Sequence, residues 1–540
     1  MTMRLMFCAV LALAATMPAL ASDAPDAAIT ARIIDTGIHH GEVMETVQYL
    51  TDRIGGRMTN SPQMRAAESW TQGRFKAWGL TNVHLEAFDF GRGWSIDKAT
   101  VRMTAPRVLP LRVIPVAWTP GTPGTVTAPI IVAPMRRDRD FDEWRGKLRG
   151  RIVLVSQPGM SGEPKEPAFQ RLSSEEIAKL DSFDLPKENA EAAEKDYRSS
   201  GFAKRLDAFL KAEGALVWVS RSYRDGGLVS GEGYGYHMND KRAVPGVQMA
   251  AEDYRRLARL AKGDAPVTIE VDTQVSFHEA DTRANNVIAD IAGSNPKAGY
   301  VMAGAHLDSW VAADGAADNG AGSAVVMEAA RIIASLGVKP KRTIRFALWA
   351  GEEQALLGSQ AYIEKHLATR PPADPAKAAL SDSAEYYLWS RQWPLTLRPG
   401  HADLKAYFNL DNGSGKIRGI YTEGNTGVEG IFSSWLSPFN AMGASAVVAS
   451  KTQGTDHVFM QAVGIPAYQF IQDPLDYDSR VHHSDIDTYD HLRADDLRQA
   501  AVIMASFLWN AANTDTPLPR GPVPTKPRET DPFAYTPKDD

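Results

Sequence analysis

The sequence predicts an α/β fold, a three-layer sandwich around a mixed, largely parallel sheet, with a mainly β unit inserted ahead of it. After Asn285, apolar strands alternate with helical segments, the pattern of a sheet whose crossovers are helices. Upstream, from Val101 to Val132 and on to about 280, short β-type runs are separated by Pro and Gly. At 540 residues and 44% hydrophobic content the chain can bury more than one sizeable core, so two domains are expected.

Taken in order, residues 1–21 join a positive start, an apolar stretch from Leu5 to Ala15 and an Ala19-Leu20-Ala21 cleavage pattern. This reads as a secretory signal peptide cut after Ala21. The apolar stretch is shorter than the roughly 18 to 20 residues a bilayer span needs. The expectation is an exported protein, periplasmic or secreted, free of the membrane after cleavage. The single cysteine, Cys8, falls inside that signal. Disulfides, thiolate-ligated zinc and a cysteine nucleophile are therefore excluded from the mature chain. A net charge of -6 and a pI near 6.1 supply no basic field, so nucleic acid is not an expected partner.

Residues 22–105 read as the N-terminal part of the main domain. Helical spacing there runs through Val43, Val47, Leu50, Ala67, Trp70, Phe75 and Trp78, with Gly79 as the stop. Residues 106–280 read as the inserted unit, with strands at Arg151 to Ser156, Ala215 to Ser220 and Val267 to Val275 and a helix at Ala251 to Ala261. Its charged stretch from Glu163 to Arg205 reads as a solvated helix pair or a flap. In residues 281–513 strands are expected at Val287 to Ile291, Tyr300 to Ala305, Ile344 to Trp349, Ala406 to Leu410, Ala444 to Ala449 and Ala467 to Ile471. Helices are expected at Ser323 to Leu336, Gln354 to Leu367 and Ala494 to Ala512. A longer segment between Leu367 and Ala406, containing Tyr386, Tyr387, Trp389 and Trp393, packs on the core by default; walling a pocket or forming a homodimer contact are the alternatives. The proline-rich tail, 514–540, reads as extended and poorly ordered.

Open α/β sheets bind ligands at the carboxyl ends of their strands, so the polar residues there carry the chemistry. The strand from Tyr300 ends in His306-Leu307-Asp308, the strand from Ile344 leads to Glu352-Glu353, and the strand from Ala406 leads to Asp411. Loops add Asp314 and Asp318, and a late loop adds His482, His483, Asp485 and Asp487. Each residue alone has an ordinary structural reading, such as a helix-start carboxylate or a turn aspartate. Together they would repel one another without cations, and two divalent metals are the economical explanation. Adjacent side chains diverge, so one of Glu352 and Glu353 can hold a metal while the other accepts a proton. Asp308 lies two residues after His306 and can accept its second ring N–H.

The runs Gly304-Ala305-His306-Leu307-Asp308-Ser309-Trp310, Ala317-Asp318-Asn319-Gly320, Trp349-Ala350-Gly351-Glu352-Glu353 and His482-His483-Ser484 through Asp487-Thr488 resemble the di-zinc metallopeptidase family that contains carboxypeptidase Q and the secreted bacterial aminopeptidases. The resemblance covers about residues 285–512. Arg149-Gly150 into Arg151-Ile152-Val153-Leu154-Val155, with Gly214-Ala215-Leu216-Val217 and Val244-Pro245-Gly246-Val247, resembles the protease-associated domain such enzymes insert.

The resemblance implies two Zn2+ per chain and a peptide substrate cut near one end. Asp318 bridges both ions, His306 and Asp411 complete one, and Glu353 and His483 the other. Glu352 is the general base, Asp308 orients His306, and the Asp318–Asn319 peptide is cis. His482 and Tyr477 are the oxyanion candidates, and Asp456 and His457 lie in a loop beside the substrate pocket. Two other readings are an inactive relative acting as a binding protein and a one-zinc acyltransferase resembling glutaminyl cyclase. A serine hydrolase is disfavoured because no Gly-x-Ser-x-Gly elbow occurs.

Overall fold

A computed structural model of the chain describes residues 25–163, 167–182, 201–378, 388–452 and 454–527. The signal-like residues 1–21, parts of the charged stretch, Tyr386 and Tyr387, and the tail beyond 527 lie outside the described residues. No described helix is long and apolar enough to cross a membrane.

The strands in chain order are β1 Thr81–Asp89, β2 Gly93–Ala105, β3 Leu109–Leu111, β4 Val113–Pro115, β5 Val126–Val132, β6 Ile152–Leu154, β7 Val217–Arg221, β8 Gly246–Met249 and β9 Thr268–His278. They continue with β10 Arg283–Ile291, β11 Tyr300–His306, β12 Thr343–Trp349, β13 Ala368–Thr369, β14 Thr396–Leu397, β15 Leu404–Asn409, β16 Ile417–Tyr421, β17 Ala446–Val448 and β18 Ala467–Gln472. One eight-stranded sheet runs β1-β10-β12-β11-β15-β18-β16-β17. Its four central strands, β12, β11, β15 and β18, are mutually parallel, while β10 pairs antiparallel with β1 and β12, and β16 antiparallel with β18. The sheet is therefore mixed, with a parallel centre as the alternation of apolar strands and helices predicts.

Alternation along β12 and β15 fixes the layers. Phe346 stacks on Phe75 of the helix Pro62–Ala77, whereas Trp349 packs on Tyr362 of the helix Leu357–His366. In β15, Phe408 meets Phe507 of the helix Ala494–Asn513, and Tyr407 meets Trp349. Helices thus cover both faces. Helix Ala494–Asn513 is buried along nearly its whole length, and so is Ala321–Ser335, which explains their apolar surfaces all round.

The second eight-stranded sheet runs β3-β2-β9-β5-β6-β7-β8-β4 and has its own apolar clusters, one around Val101, Leu154, Val219 and Ile269. Its longest pairing joins β2 to β9. The sheet thus takes its first strand from residues 93–105, upstream of 106, where the change in composition is visible. The tail also differs from expectation. Its described part, 514–527, is extended, but Leu518 is buried, Asn425 donates to the Pro519 carbonyl at 2.8 Å, and Arg520 donates to the carbonyls of Leu404 and His401 at 2.7 and 2.9 Å. Near residue 389 the inserted segment packs inward: Trp389 is buried against Phe459 and donates to Glu364 at 2.6 Å.

Candidate metal centre

The parallel register of β11 and β12 pairs His306 with Trp349, so the two strands end at one level and bring His306 beside the turn carrying Glu352 and Glu353. Next in the sheet, β15 ends at Asn409, and Asp411 follows at the same rim. The amino end of the helix Ala321–Ser335 presents Asp318 to that rim from the loop before it.

Asp318 is the centre of the arrangement. Nε2 of His306 lies 3.2 Å from its Oδ1, and Nε2 of His483 lies 3.3 Å from its Oδ2. On the His306 side, Asp411 approaches the same Nε2 at 3.3 Å; on the His483 side, Glu353 approaches at 3.1 Å. Glu352 points toward His306 at 4.0 Å. Among the described residues, three overlapping groups of His, Asp and Glu are spaced to hold a cation: His306 with Glu352 and Asp411, His306 with Asp318 and Glu353, and Asp318 with His482 and His483. Together they contain all five residues expected as ligands.

The loops are locked from behind. The Asp318–Asn319 peptide is cis. Asp487 accepts the backbone N–H groups of Ala317 and Asp318 at 2.7 and 3.0 Å, and the Asn319 side chain bridges the Leu410 carbonyl and the Gly322 N–H, both at 2.9 Å. A Cβ on Gly322 would fall 2.2 Å from Asn319 Oδ1, so this close approach requires glycine. Asp308 behaves differently from the sequence expectation. His306 Nδ1 meets the Asp308 carbonyl oxygen at 2.9 Å, while the Asp308 carboxylate is 3.7 Å away. The chain leaves β11 at His306, which turns the carbonyl rather than the side chain toward the ring. That carboxylate instead accepts the Thr59 hydroxyl at 3.0 Å and the N–H groups of Glu352 and Glu353, both at 3.3 Å.

The electrostatics of the cluster favour a bound cation. Burial raises Glu352 well above the carboxylate range, with Asp411 and Asp456 adding and His306 opposing. Burial and then Asp318 push Glu353 up to about 7. Burial would raise Asp318 too, but the hydrogen bond from His306 and the charge of His483 outweigh it and hold it below its ordinary value. Burial disfavours charge on His306 and His483, yet the surrounding carboxylates hold both well above the ordinary imidazole value. A cluster like this takes up protons where cations would otherwise sit. Asp318 Oδ2 and Glu353 Oε1 are buried and accept no hydrogen bond among the described residues. Imidazole nitrogens and carboxylate oxygens are the donor set that zinc takes, so the residues fit two zinc ions.

The remaining candidates separate. His482 packs tilted against His483 with centroids 3.8 Å apart and reaches Asp318 at 3.7 Å; burial and the His483 charge lower it to about 4. Tyr477 packs on His482 at 4.8 Å. Asp456 is buried and thereby raised to about 8. His457 is turned to Thr452 at 2.9 Å and Glu423 at 3.4 Å. Asp314 is half-buried and serves through its carbonyl, which accepts from Arg57 at 2.6 Å.

Two residues at the site lie outside the sequence motifs, Arg57 and Glu232. Fully buried, Arg57 donates through Nε to the Leu307 carbonyl at 2.8 Å, through Nη2 to Gly315 at 2.8 Å, and through Nη1 to Leu50, Gly55 and Asp314. Burial pulls its guanidinium down to about 10, still charged at neutral pH. It ties the loop after His306 to the loop before Asp318. Arg57→Met is expected to destabilise the protein by at least ~2 kcal/mol, since each buried carbonyl left without a donor costs ~1–3 kcal/mol; the urea unfolding midpoint checks this. Glu232 comes from the connection between β7 and β8 of the second sheet and meets His483 Nδ1 at 3.1 Å. Its available signal is the glycine-rich run Gly231-Glu232-Gly233-Tyr234-Gly235, where Gly231 holds φ +71 and a Cβ on Gly233 would meet the Ala117 carbonyl at 2.4 Å.

Residues 286–508 match peptidase family M28. Carboxypeptidase Q of Mus musculus is 25% identical over 492 residues, covering 90% of this chain and 88% of the relative. Among solved structures, a peptidase M28 precursor from Shewanella amazonensis aligns with a TM-score of 0.64 at 23% identity, over 92% of this chain and 99% of that one. A zinc aminopeptidase from Bacillus subtilis aligns with a TM-score of 0.55 at 19% identity, over 88% and 95%.

Proposed function

We propose, from the match of residues 286–508 to peptidase family M28, that this chain is an exported two-zinc exopeptidase acting on peptides or dipeptides. The observation that carries the reading is the pair of imidazole Nε2 atoms at 3.2 and 3.3 Å from opposite oxygens of the one buried carboxylate, Asp318. His306, Asp411 and Asp318 would hold one zinc, and Glu353, His483 and Asp318 the other. When bound, the two ions supply Lewis acidity that polarises the scissile carbonyl and makes water a stronger acid. Glu352, buried and raised in pKa, takes the proton from the attacking water and passes it to the leaving amine. The Asp308 carbonyl holds the His306 ring while its carboxylate fixes the backbone of both glutamates. His482, which reaches Asp318, and Tyr477, packed on His482, are the side chains available to the developing oxyanion. The second sheet serves as a protease-associated-like unit beside this rim, and residues 1–21 direct export.

The test is zinc analysis of the purified full chain together with assays on blocked and unblocked dipeptides. Two zinc ions per chain are expected, with hydrolysis lost on dialysis against a chelator and restored by Zn2+. One zinc with acyl transfer would favour the acyltransferase reading. Zinc-free protein, or hydrolysis indifferent to chelation, would defeat the proposal.

A further inference from the structure

We propose that Glu232, delivered from the second sheet, is a positioning residue for His483 that makes one of the two metal positions depend on that sheet. The inference rests on the two-zinc reading and goes beyond it by assigning the second sheet a part in the metal centre.

The two imidazoles at Asp318 are supported in different ways. Both turn Nε2 toward the carboxylates, so a metal there requires Nε2 unprotonated and the proton of the neutral ring on Nδ1. His306 gives that proton to a main-chain carbonyl two residues away, at 2.9 Å. His483 gives it to the Glu232 carboxylate at 3.1 Å, from a residue 251 positions distant in the chain. A carboxylate acceptor fixes the ring and raises its basicity more than a carbonyl does. His483 holds φ +55, a conformation that a non-glycine residue keeps only where its surroundings determine it.

Those surroundings come from the same loop of the second sheet. Tyr223 Oη donates to Glu232 at 3.4 Å. Arg224 donates to the His482 carbonyl at 2.7 Å, and Val229 and Asp485 exchange hydrogen bonds at 2.9 and 3.1 Å. From β4's approach, Arg112 pairs with Asp485 at 2.8 Å. Docking alone needs these clamps but no acceptor aimed at Nδ1. Glu232 is the one contact in the group that reaches the ligand's ring.

The experiment is competition for zinc between a chromophoric chelator and the full chain, for wild type, Glu232→Ala, Glu232→Gln and Arg112→Ala, with melting of each metal-free protein. Glu232→Ala is expected to weaken one of the two zinc sites by ~10–100-fold and leave the other unchanged. Glu232→Gln, whose amide oxygen still accepts from Nδ1 but carries no charge, falls between it and wild type. Arg112→Ala removes an ion pair of the same contact and no partner of His483, and keeps both affinities. Wild-type affinities in both Glu232 variants would overturn the proposal, as would an equal loss in Arg112→Ala, which assigns the effect to docking. If Glu232→Ala does not fold, an unaltered pair of sites in Glu232→Gln overturns it. Wild type that binds no zinc is a separate result, since it removes the metal centre itself.

Discussion

Glu352→Gln is expected to lower kcat by ~10²–10⁴-fold, the range that positioned proton transfer supplies, while the chain keeps two zinc ions and a nearly unchanged KM. Glutamine matches glutamate in shape, so the side chain still fills its buried place 4.0 Å from His306 Nε2. It cannot accept the proton. The neighbouring Glu353 turns the other way, to His483 at 3.1 Å, and the two backbone N–H groups are pinned by one carboxylate, Asp308. The substitution therefore leaves the ligand side of the pair in place. The spacing of Glu352 with His306 and Asp411 would also suit a ligand. Zinc content separates the roles: a base loses turnover with the metals retained, a ligand loses a metal. Turnover near the wild-type level would remove Glu352 from the proton-transfer step.

The parts of this molecule that were legible in the sequence are those whose physics is local. β11 and β12 are buried on both faces, so they read as apolar runs, and the polar residues just beyond them mark the rim. β1 alternates Val83, Leu85 and Ala87 with His84 and Glu86 but leaves Leu85 and Ala87 exposed, and β16 is only five residues long. Neither announces itself. The same division holds at the site. His306, Glu352 and Glu353 follow strands, and Asp318 precedes a helix, so each has a positional signal. Arg57 has none, because all its acceptors are carbonyls, which any residue supplies. Glu232 and Arg224 reach the late histidine loop only through the packing of the two sheets. The Asp308 carboxylate was expected on the His306 ring because two-residue spacing suggests one face; that argument fails once the chain leaves the strand.

Asp318→Ala is expected to remove both zinc ions and reduce hydrolysis to background, a larger loss than any other single ligand change. The reason is sharing. Without Asp318, one side retains His306 and Asp411 and the other Glu353 and His483, two protein ligands each, fewer than the three that catalytic zinc sites keep. His483→Ala, by contrast, leaves His306, Asp411 and Asp318 together and should cost one ion. The loop around position 318 does not depend on its side chain. Its N–H groups are held by Asp487, and Asn319 is fixed to Leu410 and Gly322. Loss of metal in Asp318→Ala is then attributable to the carboxylate rather than to a displaced loop, and circular dichroism of the metal-free variant should match wild type. If Asp318→Ala kept one zinc at wild-type affinity, the carboxylate would serve a single ion, and the paired geometry at its two oxygens would lose its meaning.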